Sequence, residues 1–505
     1  MADTSLYERL RPIWERDPDR TLLEHPNGRP RTYRWLLERS ARAARAIQEE
    51  GVPVGGRVAV QADKGEDLLA VYVGCLRAGA ALLPLNPAAT AEEVAYYLRD
   101  SRASLFLCQP ERLEQMRAMA ERCGVPAVES LAADGESGTF QQRLARTPAD
   151  PGPVSLRPEA TAAILYTSGT TGRPKGAMLT HRNLAANADA LHDAWGWTRT
   201  DVLVHALPLF HIHGLFVAAG GVLRAGASMI FLPRFDPDAV IHAFRRATIF
   251  MGVPTMYHRL AAHPGLTSEA CRGMRLFISG SAPLSVADFE AFRARTGHTI
   301  LERYGMTETG MNLSNPLRGP RKPGSVGLPL AGVQVRLVDP ETRRDVPPGE
   351  VGEIWLRGPN IFAGYFGAPE KTAEAFHEGW FRTGDLARRD GDGYYAIVGR
   401  LKDMVISGGL NVYPAEVEAV LDAIDGVEES AVVGVPDADL GERVAAAIVR
   451  CAWAAELTEE RVITAARERL APYKCPRTVR FLEALPRNAM GKVEKTRLRE
   501  ILAGA

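Results

Sequence analysis

Residues 166–179 read YTSGTTGRPKGAML, and this stretch holds a dense set of anion-binding groups. Residues 167–176 contain four hydroxyl side chains, three glycines, an arginine and a lysine. Glycines let a backbone approach a phosphate closely, and exposed N–H and O–H groups donate to its oxygens. Thr167, Ser168, Gly169, Thr170, Thr171, Gly172 and Lys175 therefore form a candidate triphosphate cradle. The pattern is not a Walker loop, because Lys175 is followed by Gly176 and the glycines are spaced differently. By composition alone the run equally suits a surface loop.

Further chemistry lies downstream. In ERYGMTET (302–309), Tyr304 offers a flat aromatic face, Thr307 a hydroxyl and Glu308 a hard carboxylate of the kind Mg²⁺ prefers. In WFRTGDL (380–386), Asp385 is a natural acceptor for a diol. GRLKD (399–403) holds Arg400 and Lys402, SGGLNVYPAEVE (407–418) holds Gly408 and Gly409, and PRNAMGKVEK (486–495) holds Lys492. Read singly, Glu308 and Lys492 are ordinary surface charges, SGSAPL (279–284) is a strand-to-helix turn capped by Ser285, and GRLKD is a charged linker.

The elements that must hold these residues follow from apolar periodicity. A helix is expected over 33–50, a strand over 57–62, a helix over 67–80 and strands over 81–85 and 104–108. Strand patterns recur at 247–253 and 275–283, followed by a helix over 285–296. This alternation predicts an α/β fold of layered, mainly parallel sheets. After about residue 325 short strands separated by Gly, Pro and Asp turns predict a β-rich subdomain. From about residue 400 a small α+β unit is expected, with helices over 415–424 and 459–470 and strands over 429–436 and 443–450. The expected division is a large domain over 1–399, a hinge over 400–403 and a small mobile C-terminal domain over 404–505.

Residue for residue, YTSGTTGRPKGAML resembles the phosphate loop of the adenylate-forming superfamily of acyl-CoA synthetases, luciferases and peptide-synthetase adenylation domains. The other motifs follow in that superfamily's order along the whole chain. The resemblance implies an AMP-forming ligase that uses ATP, Mg²⁺ and coenzyme A with a small carboxylic acid. It implies that Gly280, Ser281 and Ala282 line the adenine pocket with Tyr304, that Thr307 meets phosphate and that Glu308 carries the metal. It assigns Asp385 and Arg400 to the ribose, Lys402 to the hinge, Gly408 and Gly409 to a pantetheine tunnel, and Lys492 to catalysis of adenylation with Thr307 and Glu308.

Arg303 bears on which acid is used. Many relatives carry glycine just before the YG pair, which leaves room for a bulky acyl group. An arginine there shortens the pocket and adds a permanent cation, whose simplest partner is a second carboxylate on the substrate. HALPLFHIHGLF, GVPTMYHR, MRLFISGSAPL and ERYGMTET together resemble the malonyl-CoA synthetase group. That resemblance puts His211, Ser281 and Arg303 around the distal carboxylate of malonate, or of methylmalonate as a second substrate, with Met306 on the wall. The alternative for Arg303 is an ion pair with Glu302 or Glu308, and for His213 a place in the core. For the chain as a whole, the alternatives are another short-chain or dicarboxylic acyl-CoA synthetase, or an enzyme loading a separate carrier protein.

The bulk properties fit this class. The 505 residues exceed one compact core. Equal numbers of basic and acidic residues, 61 each, argue against nucleic acid or an anionic membrane as partner. Six scattered cysteines without a Cys-x-x-Cys pair suit a reducing compartment, and the charged N-terminus lacks a signal-like apolar segment, so a cytoplasmic monomer or weak homo-oligomer is expected.

Overall fold

A computed structural model of the chain describes residues 4–26, 30–149, 152–167, 173–437, 439–487 and 492–503. Two large sheets form its first part. The six-stranded sheet has the order Ala127–Ser130, Leu105–Cys108, Arg57–Gln61, Ala81–Pro84, Thr161–Thr167, Lys175–Thr180. It is parallel except for its last pair. The nine-stranded sheet has a parallel centre of Leu301–Met306, Leu276–Ser279, Ile249–Gly252, Val202–His205, Ser228–Phe231 and Thr21–Glu24. These strands are short and nearly all apolar because helices cover both faces.

The expected elements appear within a few residues of their predicted ends. The helix Val286–Thr296 starts where the Ser285 side chain accepts from the Asp288 N–H, and it stops at Gly297, whose φ of 76° costs a glycine little. The β-rich subdomain is a five-stranded antiparallel sheet that includes Val351–Arg357, Trp380–Arg389 and Tyr395–Arg400. In the C-terminal unit, Val427–Asp437 pairs along its length with Gly441–Arg450, and Thr478–Leu482 joins in parallel. Its core, from Val405 to Leu502, is separate from the main core, which runs from Leu6 to Tyr395 with Ile397 packed against it. Among the described residues no helix is long and apolar enough to cross a membrane, and the six cysteines are free thiols.

Candidate active site

The C-terminal ends of the parallel strands open on one cleft, the usual ligand side of such sheets. Thr167 and Lys175 pair across the base of an antiparallel hairpin. Ser168, Gly169, Thr170, Thr171 and Gly172 lie outside the described residues. The Lys175 ammonium sits 4.2 Å from the centre of the Tyr365 ring. The Tyr365 hydroxyl donates to Glu308 Oε1 at 3.0 Å. Glu308 is therefore no solvated surface acid. It is 6% exposed, and burial raises its carboxyl pKa against the pull of the Tyr365 hydrogen bond and the charges of Arg400 and Lys175. Thr307 stands beside it, just past the end of the strand Leu301–Met306.

Asp385 is also buried, and both of its carboxylate oxygens are engaged. The Tyr304 hydroxyl donates to Oδ2 at 2.6 Å, and Arg400 Nε forms an ion pair with Oδ1 at 2.9 Å. Arg400 is the last residue of the strand Tyr395–Arg400 and lies directly across the ladder from Asp385, so it belongs to the sheet of the large region rather than to a free linker. Lys402 follows, exposed, in a single 3₁₀ turn, Leu401–Asp403. Lys492 is open to solvent on one side, yet burial and then the Arg400 charge lower its ammonium pKa, with Asp385, Arg303 and Glu308 also within electrostatic range. Residues far apart in sequence thus converge on one cleft. Gly408 and Gly409 do not join it; they form the exposed tip between Val405–Ser407 and Leu410–Val412, both with positive φ.

A second set of groups surrounds Arg303. Strand alternation sends Glu302 and Arg303 to opposite faces. Glu302 Oε1 accepts from the Leu284 N–H at 3.1 Å, and burial pushes its carboxyl up to about 7. The guanidinium of Arg303 is 3% exposed, and its Nε and Nη2 have no hydrogen-bond partner, so it is not held by Glu302 or Glu308. Burial lowers its pKa to about 9, against the opposing pull of Glu302. It packs on Gly280, where a Cβ would fall 2.5 Å from Arg303 Cζ. Only glycine permits that approach. The next residue, Ser281, has φ of 77°, a strained value for a side-chain-bearing residue, and its hydroxyl lies 3.2 Å from His213 Nδ1. Gly280 and Ser281 thus border Arg303 and His213, with Ala282 following in the same turn.

The His213 Nε2 is buried without a partner, and the His213 backbone N–H donates to His211 Nδ1 at 3.4 Å. Burial, Lys492 and Arg303 press the His211 pKa down to about 3; burial first, then Arg303, presses that of His213 well below its usual range. Both imidazoles are neutral near pH 7, so the pocket's charge is that of Arg303. Met306, partly buried, packs against the core beside this site.

The chain that folds this cleft matches two family models: AMP-binding enzyme over residues 10–366 and the AMP-binding enzyme C-terminal domain over 416–492. The chain belongs to the AMP-binding enzyme family. A feruloyl-CoA synthase from an Amycolatopsis species is 40% identical over 488 residues, 95% of this chain and 96% of that one. A mitochondrial malonate–CoA ligase from Mus musculus is 38% identical over 508 residues, 92% of this chain and 86% of that one. Among solved structures, ATP-bound MatB from Rhodopseudomonas palustris is 47% identical, each chain covering 99% of the other, with a TM-score of 0.96. The apo form of MatB gives a TM-score of 0.86 at 46% identity and the same coverage. Taken over the whole chain, this AMP-binding enzyme superposes better on the ATP-bound form than on the apo form.

The sequence motifs pointed to the acids and the lysines of this site but not to Tyr365, which ties Glu308 to Lys175, nor to Asn360, whose amide donates to the Thr309 carbonyl at 2.7 Å. No local pattern marks either residue. The pairing of His213 with Ser281 is likewise a tertiary event.

Proposed function

We propose that this enzyme joins malonate to coenzyme A at the expense of ATP, through a malonyl-adenylate. The carrying observation is the buried guanidinium of Arg303, with two nitrogens unpartnered and set between Gly280 and the two neutral histidines. A buried cation calls for an anion, and a small dicarboxylic acid brings one. The malonate–CoA ligase relative supports the same acid.

In the first half-reaction one carboxylate oxygen of malonate attacks the α-phosphorus of ATP. A P–O bond forms, the bond to the β-phosphate breaks, and pyrophosphate leaves. Lys492 stabilises the charge gathering at phosphorus, with donors from Thr307, Lys175 and the loop 167–172. Asp385, Arg400 and Tyr304 hold the nucleoside, with Ser281 and Ala282 beside it. Arg303, His211 and Ser281 take the distal carboxylate against Met306. The buried Glu308 suits Mg²⁺, which characteristically binds through one or two protein carboxylates and the substrate's phosphates, and bound there it would neutralise phosphate charge. In the second half-reaction the sulfur of coenzyme A attacks the acyl carbon, the C–O bond breaks, AMP leaves and the thiol proton passes to solvent. Between the two, the small domain turns about residues 400–403, withdrawing Lys492 and bringing in Gly408 and Gly409. We place the enzyme in the cytoplasm as a monomer or weak homo-oligomer, a reading supported by its balanced charge and sparse free thiols.

The test is pyrophosphate release with ATP, Mg²⁺ and coenzyme A and one acid at a time: malonate, methylmalonate, succinate, acetate, octanoate, ferulate. Malonate is expected to lead, and preference for a monocarboxylate overturns the reading. The second reading, an aromatic acyl-CoA synthetase, is favoured by the feruloyl-CoA synthase relative, and ferulate in the panel decides it.

A pH dependence follows. The charge of Arg303 holds across the working pH range, since a guanidinium stays protonated there even where burial lowers its pKa. The two pocket histidines, already neutral, add no limb near pH 7. Malonate kcat/KM is therefore expected to show no limb from the acid pocket between about pH 6 and 8. A limb there that His211→Gln abolished would count against neutral histidines beside a fixed Arg303 cation.

A further inference from the structure

His205 ends the strand Val202–His205, and the loop that follows carries His211 and leads into the π-helical turn His213–Ala219. The His205 ring closes this loop: its Nε2 lies 2.8 Å from the Gly214 carbonyl, nine residues on. A carbonyl only accepts, so Nε2 carries the proton and Nδ1 bears a lone pair. Lys64 Nζ lies 2.9 Å from that Nδ1. The same ammonium donates to the carbonyls of His205 at 2.8 Å and Leu232 at 2.6 Å, and sits 4.5 Å from the centre of the Phe231 ring. All three of its protons are therefore directed to acceptors of known position.

Lys64 comes from the other sheet, in the connection between Arg57–Gln61 and the helix Glu66–Ala78. The Lys64–His205 pair thus ties the six-stranded sheet to the ends of two strands of the nine-stranded sheet. Gly214 is fixed from its other side as well, since a Cβ there would meet the Pro208 carbonyl at 1.9 Å. Beyond Lys64, a cavity of about 310 Å³ lies against Pro208, Leu209 and Phe210, so on that flank the loop faces open space, while Leu207, Leu209 and Ile212 are buried in the core. Lys64 is part-buried, and its acceptors are all neutral, so no carboxylate offsets the desolvation of its ammonium.

We propose that Lys64 and His205 are positioning residues of the acid pocket: through the Gly214 carbonyl they fix the loop 206–214, and with it the places of His211 and His213 opposite Arg303. The proposal rests on the reading of that pocket as the acid site. Neither residue touches substrate.

The test is steady-state kinetics of Lys64→Met, His205→Phe and His205→Gln with the acid the unaltered enzyme prefers, after folding is checked by circular dichroism. Lys64→Met and His205→Phe are expected to raise the KM for the acid about tenfold or more, while the KM for ATP stays within about twofold. His205→Gln keeps a donor for Gly214 and recovers most of the loss. A merely structural role would lower melting temperature and active fraction and leave the ratio of the two KM values unchanged. An unchanged KM for the acid in folded Lys64→Met and His205→Phe, or parallel rises in both KM values, overturns the proposal. Lys64→Gln, which retains a donor toward Leu232, replaces Lys64→Met if that variant does not fold. The acid preference of the unaltered enzyme is read independently, so failure of the malonate assignment and failure of the positioning role are separate results.

Discussion

Lys492→Ala is expected to slow formation of the malonyl-adenylate by about 10²–10³-fold while leaving thioester formation from preformed malonyl-adenylate within a few-fold of the unaltered enzyme. The magnitude is that of removing one charge-stabilising donor from a developing oxyanion. The asymmetry follows from the proposed hinge, because Lys492 belongs to the small domain and serves the cleft in only one of its two positions. Its environment suits the first step: it lies within electrostatic range of Arg303 and His211 on the acid side and of Arg400 and Asp385 on the nucleotide side. The surrounding protein lowers its pKa, burial first and then the Arg400 charge, and the phosphates of ATP would favour its charged form. The check is a pair of assays, malonate-dependent exchange of labelled pyrophosphate into ATP and single-turnover transfer from synthetic malonyl-adenylate to coenzyme A. Equal losses in both would remove Lys492 from a role confined to adenylation. Retention of exchange would remove it from catalysis.

Arg303→Gly is expected to lower malonate kcat/KM by about 30-fold to several thousand-fold, the equivalent of about 2–5 kcal/mol for removing one partner of a buried charge pair. Acetate and larger monocarboxylates should gain relative to malonate, since the pocket becomes longer and neutral. Arg303→Met separates charge from volume. It should lose malonate as severely, yet melt no lower than the unaltered protein, because the guanidinium is buried with two nitrogens unpartnered by protein groups. Arg303→Gly should melt lower than Arg303→Met, from the cavity left in the strand Leu301–Met306 and the glycine entropy there. Both variants must be assayed with malonate and acetate side by side. A variant that retained malonate kcat/KM would overturn the assignment of Arg303 to the second carboxylate.

The sheet centres of this fold were legible because their strands are short apolar runs flanked by turn residues, as at 57–62, 81–85 and 104–108. The acids and lysines of the cleft were legible for a different reason: Glu308, Asp385, Arg400 and Lys492 each sit in an ordered motif. Their roles as catalytic, nucleotide or metal residues remain proposals, whereas their convergence is structural. Tyr304 shows the difference. As a residue type it offered an aromatic face, but the fold also points its hydroxyl at Asp385. Arg303 shows it again, since residue type left open an ion pair with Glu302 or Glu308, and only strand alternation and the Leu284 N–H took Glu302 away.

What the sequence by itself determined was local: apolar periodicity, the caps and stops of helices, and motif order that placed the chain among adenylate-forming enzymes. Tertiary structure decided what depended on distance. Lys64 and His205 are separated by 141 positions, Glu308 and Tyr365 by 57, and Tyr304 and Asp385 by 81. No pattern within one helix or strand records such pairs, because hydrogen bonds and buried charge depend on separation in space. Two sheets had to pack before Lys64 could reach His205, and the small domain had to dock before Lys492 could approach Arg303.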